Sequence, residues 1–261
     1  MTGKAARPRT LSLFALPGIP MVQPGDDLAA LIADGFARVD EPAADGDVLV
    51  VAQKIVSKSE GRYANLATVE PGAKARELAA RTDKDPRMVE LILSEARRVV
   101  RHRPGVIIVE HRLGFVMANA GIDNSNVEPA GADERVLLLP RDPDGSAQRL
   151  REGLRERLGI DCAVIVNDSV GRAWRVGTVG LALGAAGLPS LLDLRGRDDL
   201  FGRPLEVTQV GLADELAAAA SLLQGEADEG MPVVVVRGLA AAGPGNDGAA
   251  LIRAKADDLF R

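Results

Sequence analysis

Six short apolar runs recur along this chain, "LSLFAL", "DVLVVAQ", "GVIIVEH", "CAVIVND", "LEVTQV" and "MPVVVVRG", each bounded by turn-forming residues. Several are rich in β-branched side chains, which are stiff at χ1 and fit a pleated surface, so the runs read as strands. Helical spacing falls between them. In "PRMVELILSEARRVVRH", Met88, Leu91, Ile92, Ala96, Val99 and Val100 follow the three-and-four spacing of one helix face, starting from Pro86. Leu150, Leu154 and Leu158 predict a second helix, with Ser146 as N-cap and Gly159 as its stop. The Ala-rich "GLADELAAAASLLQGEADEG" predicts a third, packed closely against another element. The fold class is therefore mixed α/β (α+β). It is not a plain βαβ repetition, because residues 106–140 hold two or three strand-like runs with no helix between them. With no internal repeat or linker, and only a weak seam at "RDPDGS", one domain over residues 1–261 and two interlocked subdomains both fit.

Bulk properties exclude several classes of function. Aromatic residues are 3% of the chain, the formal charge is -5 and the pI is near 5.3. Neither a stacking platform for single strands nor a basic groove for duplex nucleic acid follows from that. At 46% hydrophobic and 26% charged, the 261 residues describe an ordinary globular protein with a sizeable core. Cys162 is the single cysteine and lies inside "CAVIV", so it is expected to be a buried, inert thiol. Lys4, Arg7 and Arg9 precede an apolar stretch too short for a signal peptide, and no run reaches membrane-spanning length. A cytoplasmic setting is the expectation.

Chemistry concentrates in two places. "GFVMANAGIDNSNV" turns within a few positions from core into Asp123, Asn124, Ser125 and Asn126, and "VIVNDSVGRAWR" likewise carries Asp168 and Ser169 off the end of an apolar strand. Asp123 and Asp168 would share one hard cation, with Asn126 and Ser169 alongside. Two histidines and one cysteine disfavour zinc or copper, whereas oxygen ligands suit magnesium or manganese, ions that also hold substrate phosphates. The alternative is that both Asp residues cap turns through their own backbone. In "VAQKIVSKSEGR", Lys54, Lys58 and Arg62 stand four residues apart. That spacing fits a solvated helix face, or a grip on phosphates. Arg172 and Arg175 follow Asp168 and would add positive charge near it, with Trp174 between them as core or as a lid.

The stretch "GPGNDG" at residues 243–248 matches G-x-G-x-x-G after a strand. A dinucleotide site also needs a following strand carrying an acid about twenty residues on. The chain ends at Arg261, so we read a flexible loop and expect no NAD. No Gly-Lys-Ser/Thr phosphate loop is present either.

Long stretches of the chain resemble the coenzyme F420-0:L-glutamate ligase (F420 gamma-glutamyl ligase) family. They include "LPGIPMVQPGDDLAALI", "GDVLVVAQKIVSKSEGR", "GFVMANAGIDNSNV", "NDSVGRAWRVGTVGLALGAAG", "DLRGRDDLFGRPL", "ADELAAAASLLQGEADEGMPVVVVRG" and "DLFR". The resemblance implies a GTP-dependent ligase that adds L-glutamate, one or more, to the carboxylate tail of the deazaflavin F420-0, in an intertwined α/β homodimer of an unusual fold. It implies nucleotide contacts at Leu16, Pro17, Gly18, Ile19, Gln53, Lys54, Lys58 and Asn126. It places one divalent metal, magnesium or manganese, on Asp123 and Asp168. A second would involve Ser169 and Glu226, where the family often has glutamine, and a monovalent cation is an additional candidate. Leu113 and Met117 depart from the His and Cys that many relatives carry there. Relatives fused to a nitroreductase-like domain continue past the point where this chain ends, so no flavin-dependent second activity is expected.

Joining a carboxylate to an amine requires activation, and phosphorylation to an acyl phosphate brings a carboxylate against a triphosphate. Each like-charge contact costs about 1 kcal/mol in water and more in a drier site, so cations are needed. Ala118, Ala120 and Gly121 would let the backbone approach the ligand. Two other classes use the same residues: a metal-dependent phosphohydrolase or kinase, which turns over nucleotide without both glutamate and acceptor, and a regulatory GTP-binding protein, which does not turn over at all.

Overall fold

The apolar runs become strands whose alternate residues fill two different cores. A computed structural model describes residues 9–124, 134–239 and 245–259. In chain order its elements are β1 (Ser12–Ala15), α1 (Leu28–Phe36), β2 (Val48–Ala52), α2 (Gln53–Ser59), β3 (Tyr63–Asn65), α3 (Ala73–Thr82), α4 (Pro86–Glu95), β4 (Ala96–Arg103), β5 (Val106–His111), β6 (Val116–Ala118) and β7 (Arg135–Leu137). There follow α5 (Pro143–Leu158), β8 (Ala163–Arg172), β9 (Arg175–Ala186), β10 (Leu192–Asp193), β11 (Gln209–Val210), α6 (Leu212–Gln224) and β12 (Val233–Arg237).

The main sheet has the order β1-β12-β2-β8-β9, and only β2 and β8 run parallel. Leu49, Val51, Val164, Val166, Val233 and Val235 face Ile32 of α1 and Leu150 and Leu154 of α5. Val48, Val50, Ile165, Val234 and Val236 face Leu216, Ala217 and Ala220 of α6. The period of two thus places Val48–Val51, Ala163–Val166 and Val233–Val236 in a core residue by residue, which is why they read as unbroken apolar runs. Full burial of each such side chain contributes roughly 1.5–3 kcal/mol. The close packing expected of the Ala-rich helix is present: a Cβ at Gly180 on β9 would stand 2.4 Å from the Ala217 carbonyl oxygen of α6. A third core lies between α3, α4 and the three-stranded sheet β4-β5-β6, built on Leu78, Val89, Ile92, Ile107 and Val109.

Several sequence expectations change here. The helix begun at Pro86 stops at Glu95, and Ala96–Arg103 is a strand hydrogen-bonded to β5. Register shifts between Ala96 and Arg98 and between Val99 and Arg101 break the period of two. Those bulges give a strand the uneven apolar spacing of a helix face. The second helix starts three residues before Ser146. Asp142 is its N-cap, accepting from Gly145 N at 3.0 Å, and Gly159 ends it in the left-handed conformation (φ 69°). "RDPDGS" is therefore a helix start rather than a seam, and Asp144 ties it to Ala185, Gly248 and Ala249. Of "LEVTQV", only Gln209 and Val210 form a strand. The third helix ends at Gln224, where Gly225 adopts φ 70°. Trp174 is neither core nor lid: it turns the tip of the β8–β9 hairpin with φ 58° and is 83% exposed.

Candidate functional site

Because β2 and β8 run parallel with Ala52 opposite Asn167, the end of β2 and the stretch of β8 beyond Asn167, paired there only with β9, meet at one edge of the sheet. That edge is where α/β sheets gather ligands. A cavity of about 300 Å³ opens there, lined among others by Ile19, Gln53, Lys54, Lys58, Asp168, Ser169 and Glu226. Residues assigned to nucleotide and to metal thus share one space, although they come from four separated parts of the chain. Gln53 and Lys54 enter as the first turn of α2, Asn167 to Ser169 lie within β8 where its pairing with β2 stops, and Gly225 to Met231 follow α6.

Asp123 reaches the same region from elsewhere. Its backbone makes a two-bond bridge with Leu137 (Asp123 N to Leu137 O 2.9 Å, Leu137 N to Asp123 O 2.8 Å). Its Oδ2 accepts from Gln53 Nε2 at 2.9 Å and lies 3.4 Å from Lys54 Nζ. The turn before it is strained, with Asn119 at φ 51° and Ala120 at φ 56°. Its small residues serve packing, contrary to the expectation of ligand approach: Ala120 is buried, and a Cβ at Gly121 would meet Leu139 at 2.9 Å.

The carboxylates outnumber the cations near them. Burial, then the neighbouring Asp123 charge, push the Asp168 carboxyl up to about 7, against the pull of Lys54 and of the Ser169 N–H, which donates to Oδ1 at 2.9 Å. Burial also raises Asp123, in spite of Lys54 and Gln53. Glu226 stands close enough to raise both, and its Oε1 accepts from Ser169 Oγ at 2.5 Å and from Thr178 Oγ1 at 3.3 Å. Two carboxyls held above their ordinary range by burial, with Glu226 adding to both and Asp123 adding to Asp168, describe a place that favours added positive charge. Among the described residues, no three His, Cys, Asp or Glu side chains converge into a ready metal cage. The donors present are all oxygens, so they fit a hard cation that takes its remaining ligands from phosphate and water.

Other expectations separate. Asn126 and Ser125 lie outside the described residues. Of the "LPGI" segment, Ile19 lines the cavity, whereas the Leu16 side chain is fully buried in the main core. Gly18 (φ 71°) binds Arg38 through its carbonyl at 3.0 Å, and Pro17 lies between them half-buried. Lys58 is buried at the cavity wall, but Arg62 turns away to Glu95 and to Leu139 O. Arg172 and Arg175 sit at the exposed hairpin tip, about 13 Å along the strand from Asp168 at ~3.3 Å per residue, and so do not flank it. Cys162 is buried and its thiol is pushed up to about 11 by that burial. In "GPGNDG", the described Gly245 to Gly248 are tied down rather than flexible: Asn246 bonds Leu191 N and O at 3.0 Å, and a 3-10 turn follows in place of a full helix.

Apart from Glu226, the sequence reading missed the cavity wall from Gly225 to Pro232 and the backing pair Asn167 and Gln224. Asn167 Nδ2 donates to Gln224 Oε1 at 2.6 Å, and Gln224 Nε2 donates to Val50 O and Pro232 O. The available signal was the turn-rich "GEADEG" between a helix and a strand.

Comparison with known proteins finds relatives over nearly the whole chain. The family described as F420-0:Gamma-glutamyl ligase matches residues 18–238. The chain is 46% identical over 253 residues to a coenzyme F420:L-glutamate ligase of Methanothermobacter thermautotrophicus, covering 96% of this chain and 99% of that protein. It is 49% identical over 257 residues to the one of Methanopyrus kandleri, covering 97% and 98%. A third, from Archaeoglobus fulgidus, is 43% identical over 251 residues, 96% of each chain. The chain belongs to the F420-0:gamma-glutamyl ligase family.

Proposed function

We propose that this chain is a coenzyme F420-0:L-glutamate ligase that uses GTP and divalent cations, magnesium or manganese. The observation that carries the reading is the meeting of Asp123, Asp168 and Glu226 with Lys54 and Lys58 around one cavity. A metal-bound triphosphate complements such a wall, since it brings cations to the carboxylates and anions to the lysines. In the first step a carboxylate oxygen of F420-0 attacks the γ-phosphorus, forming a C(O)–O–P bond while the bond to GDP breaks. In the second, the glutamate amine attacks the carbonyl carbon, phosphate leaves with the bonding pair, and the amine loses its proton to solvent.

Lys54 and Lys58 would steady the phosphates through both steps. Asp123 and Asp168 would hold one cation, with Ser169 and Glu226 on a second. A bound divalent ion supplies charge neutralisation on the transferring phosphoryl group. The reading extends to a homodimer, supported by Trp174 and Val176 on the hairpin and Leu200, Phe201 and Val207 on the excursion between β10 and β11, all exposed.

Purified protein given F420-0, glutamate, manganese and either GTP or ATP tests the reading by mass. The expected result is glutamylated product with GTP and much less with ATP. Equal product with ATP contradicts the nucleotide assignment. Nucleotide turnover that ignores glutamate and F420-0 contradicts the ligase.

A further inference from the structure

Gln53 is at the head of the nucleotide candidates, yet its side chain is 1% exposed and both ends of its amide are engaged inside the protein. Nε2 donates to Asp123 Oδ2 at 2.9 Å, across 70 residues of sequence. Oε1 accepts from Ser57 Oγ at 2.9 Å, one helical turn along α2, and Ser57 is fully buried. The Asp123 carboxylate, which only accepts, sets which way the amide faces, and the Ser57 hydroxyl, by donating, holds its Oε1 end in place. Rotating Gln53 by half a turn would set Oε1 against a carboxylate oxygen and its NH2 against the hydroxyl that now donates to it. Lys54 Nζ lies 3.4 Å from the same Oδ2, so these two partners of the Asp123 side chain both take one oxygen.

We propose that Ser57 and Gln53 are positioning residues that act as a relay, Ser57 fixing the Gln53 amide and Gln53 aiming the Asp123 carboxylate at its cation. A neutral donor suits this role because it holds the carboxylate without removing the charge that the cation needs. A lysine in its place would compete with that cation. The inference rests on the reading of Asp123 as a metal ligand, and it moves Gln53 from contacting nucleotide to orienting the metal site.

The test titrates Mn2+ alone into the full-length protein by calorimetry, using Gln53→Met, which keeps shape and removes the donor, Ser57→Ala, the double variant, and Asp123→Asn. Thermal unfolding confirms that each is folded. Partners that orient a metal ligand typically contribute about 10- to 100-fold in affinity. Gln53→Met is expected to weaken Mn2+ by about that much, and Ser57→Ala by on the order of 10-fold. The double variant is expected to match Gln53→Met alone, because Ser57 acts only through the amide. GDP affinity in excess chelator is expected to be unchanged in Gln53→Met. Wild-type Mn2+ affinity in Gln53→Met beside a loss in Asp123→Asn overturns the relay and leaves the metal reading standing. Additive losses in the double variant, or loss of chelator-insensitive GDP binding in Gln53→Met, also overturn the relay. Wild-type Mn2+ affinity in Asp123→Asn overturns the metal reading, and the relay with it.

Discussion

Two charge clusters take their cations from the two ends of α2, Lys54 at its start and Arg62 just past its finish, and they are balanced in opposite ways. On one side, Glu95 meets Arg62 at 3.3 Å and Arg112 at 2.9 Å, while His111 Nε2, otherwise without a hydrogen-bond partner, stands 3.4 Å from its Oε2. His111, then Arg112 and Arg62, hold the Glu95 carboxyl down at about 2 in spite of its burial. The Leu113 N–H donates to His111 Nδ1, which puts the imidazole proton on Nε2, facing Glu95. On the other side, Asp123, Asp168 and Glu226 gather about Lys54, with Lys58 in the same cavity wall, and the Asp168 carboxyl is pushed up to about 7. The first cluster is complete in itself and fastens the α4–β5 region to the segments flanking β3 and β7 through Arg62 and Leu139. The second is short of positive charge. The difference separates an ion cluster that stabilises a fold from one arranged for a ligand.

Neutralising one acid in each cluster should give opposite phenotypes. Asp168→Asn removes a ligand but relieves repulsion, so turnover is expected to fall about 100- to 1,000-fold, while the metal-free protein melts no lower than wild type. Asp123→Asn should behave alike, and the double variant should lose far less than the product of the two. Normal turnover in either single variant would break the comparison on this side. Glu95→Gln leaves buried guanidinium groups facing an amide, which is expected to lower stability by about 3–5 kcal/mol in urea unfolding. Turnover per folded molecule should stay close to wild type, and a selective loss of activity would place Glu95 in the site instead.

The pH response sharpens the contrast further. Asp168 is raised from an ordinary 3.8 to about 7, so its contribution to stability is present below about 3.8 and is lost as pH climbs through 7. Glu95 is lowered from 4.5 to about 2, so its contribution is present above 4.5 and is lost as pH falls towards 2. Melting curves of metal-free protein should therefore decline between pH 5 and pH 7.5 in wild type but less in Asp168→Asn. The acid limb below pH 4.5 should be weaker in Glu95→Gln.

Local signals made much of the scaffold legible. The unbroken Val runs of β2 and β12 and the Gly159 stop follow from side-chain stiffness and backbone freedom at single positions. Where bulges scrambled the period, as in Ala96–Arg103, a strand took on helical spacing. The types of residue in the site were also legible, because Asp123 and Asp168 stand at the ends of apolar stretches. Their partners were not. Nothing local says that Gln53 reaches Asp123, that Arg62 leaves the lysines for Glu95, or that Gly225 to Pro232 folds over the cavity, since each is a product of the parallel β2–β8 pairing and of tertiary packing.

The central claim is that the Asp123, Asp168 and Glu226 wall lacks a cation. Thermal unfolding at pH 7 across a series of Mn2+ concentrations tests it most directly, on wild type and Asp168→Asn. A cation bound to the folded state should raise the wild-type Tm progressively with concentration, with little or no rise in Asp168→Asn. An unchanged wild-type Tm, or an equal rise in both proteins, would contradict the account.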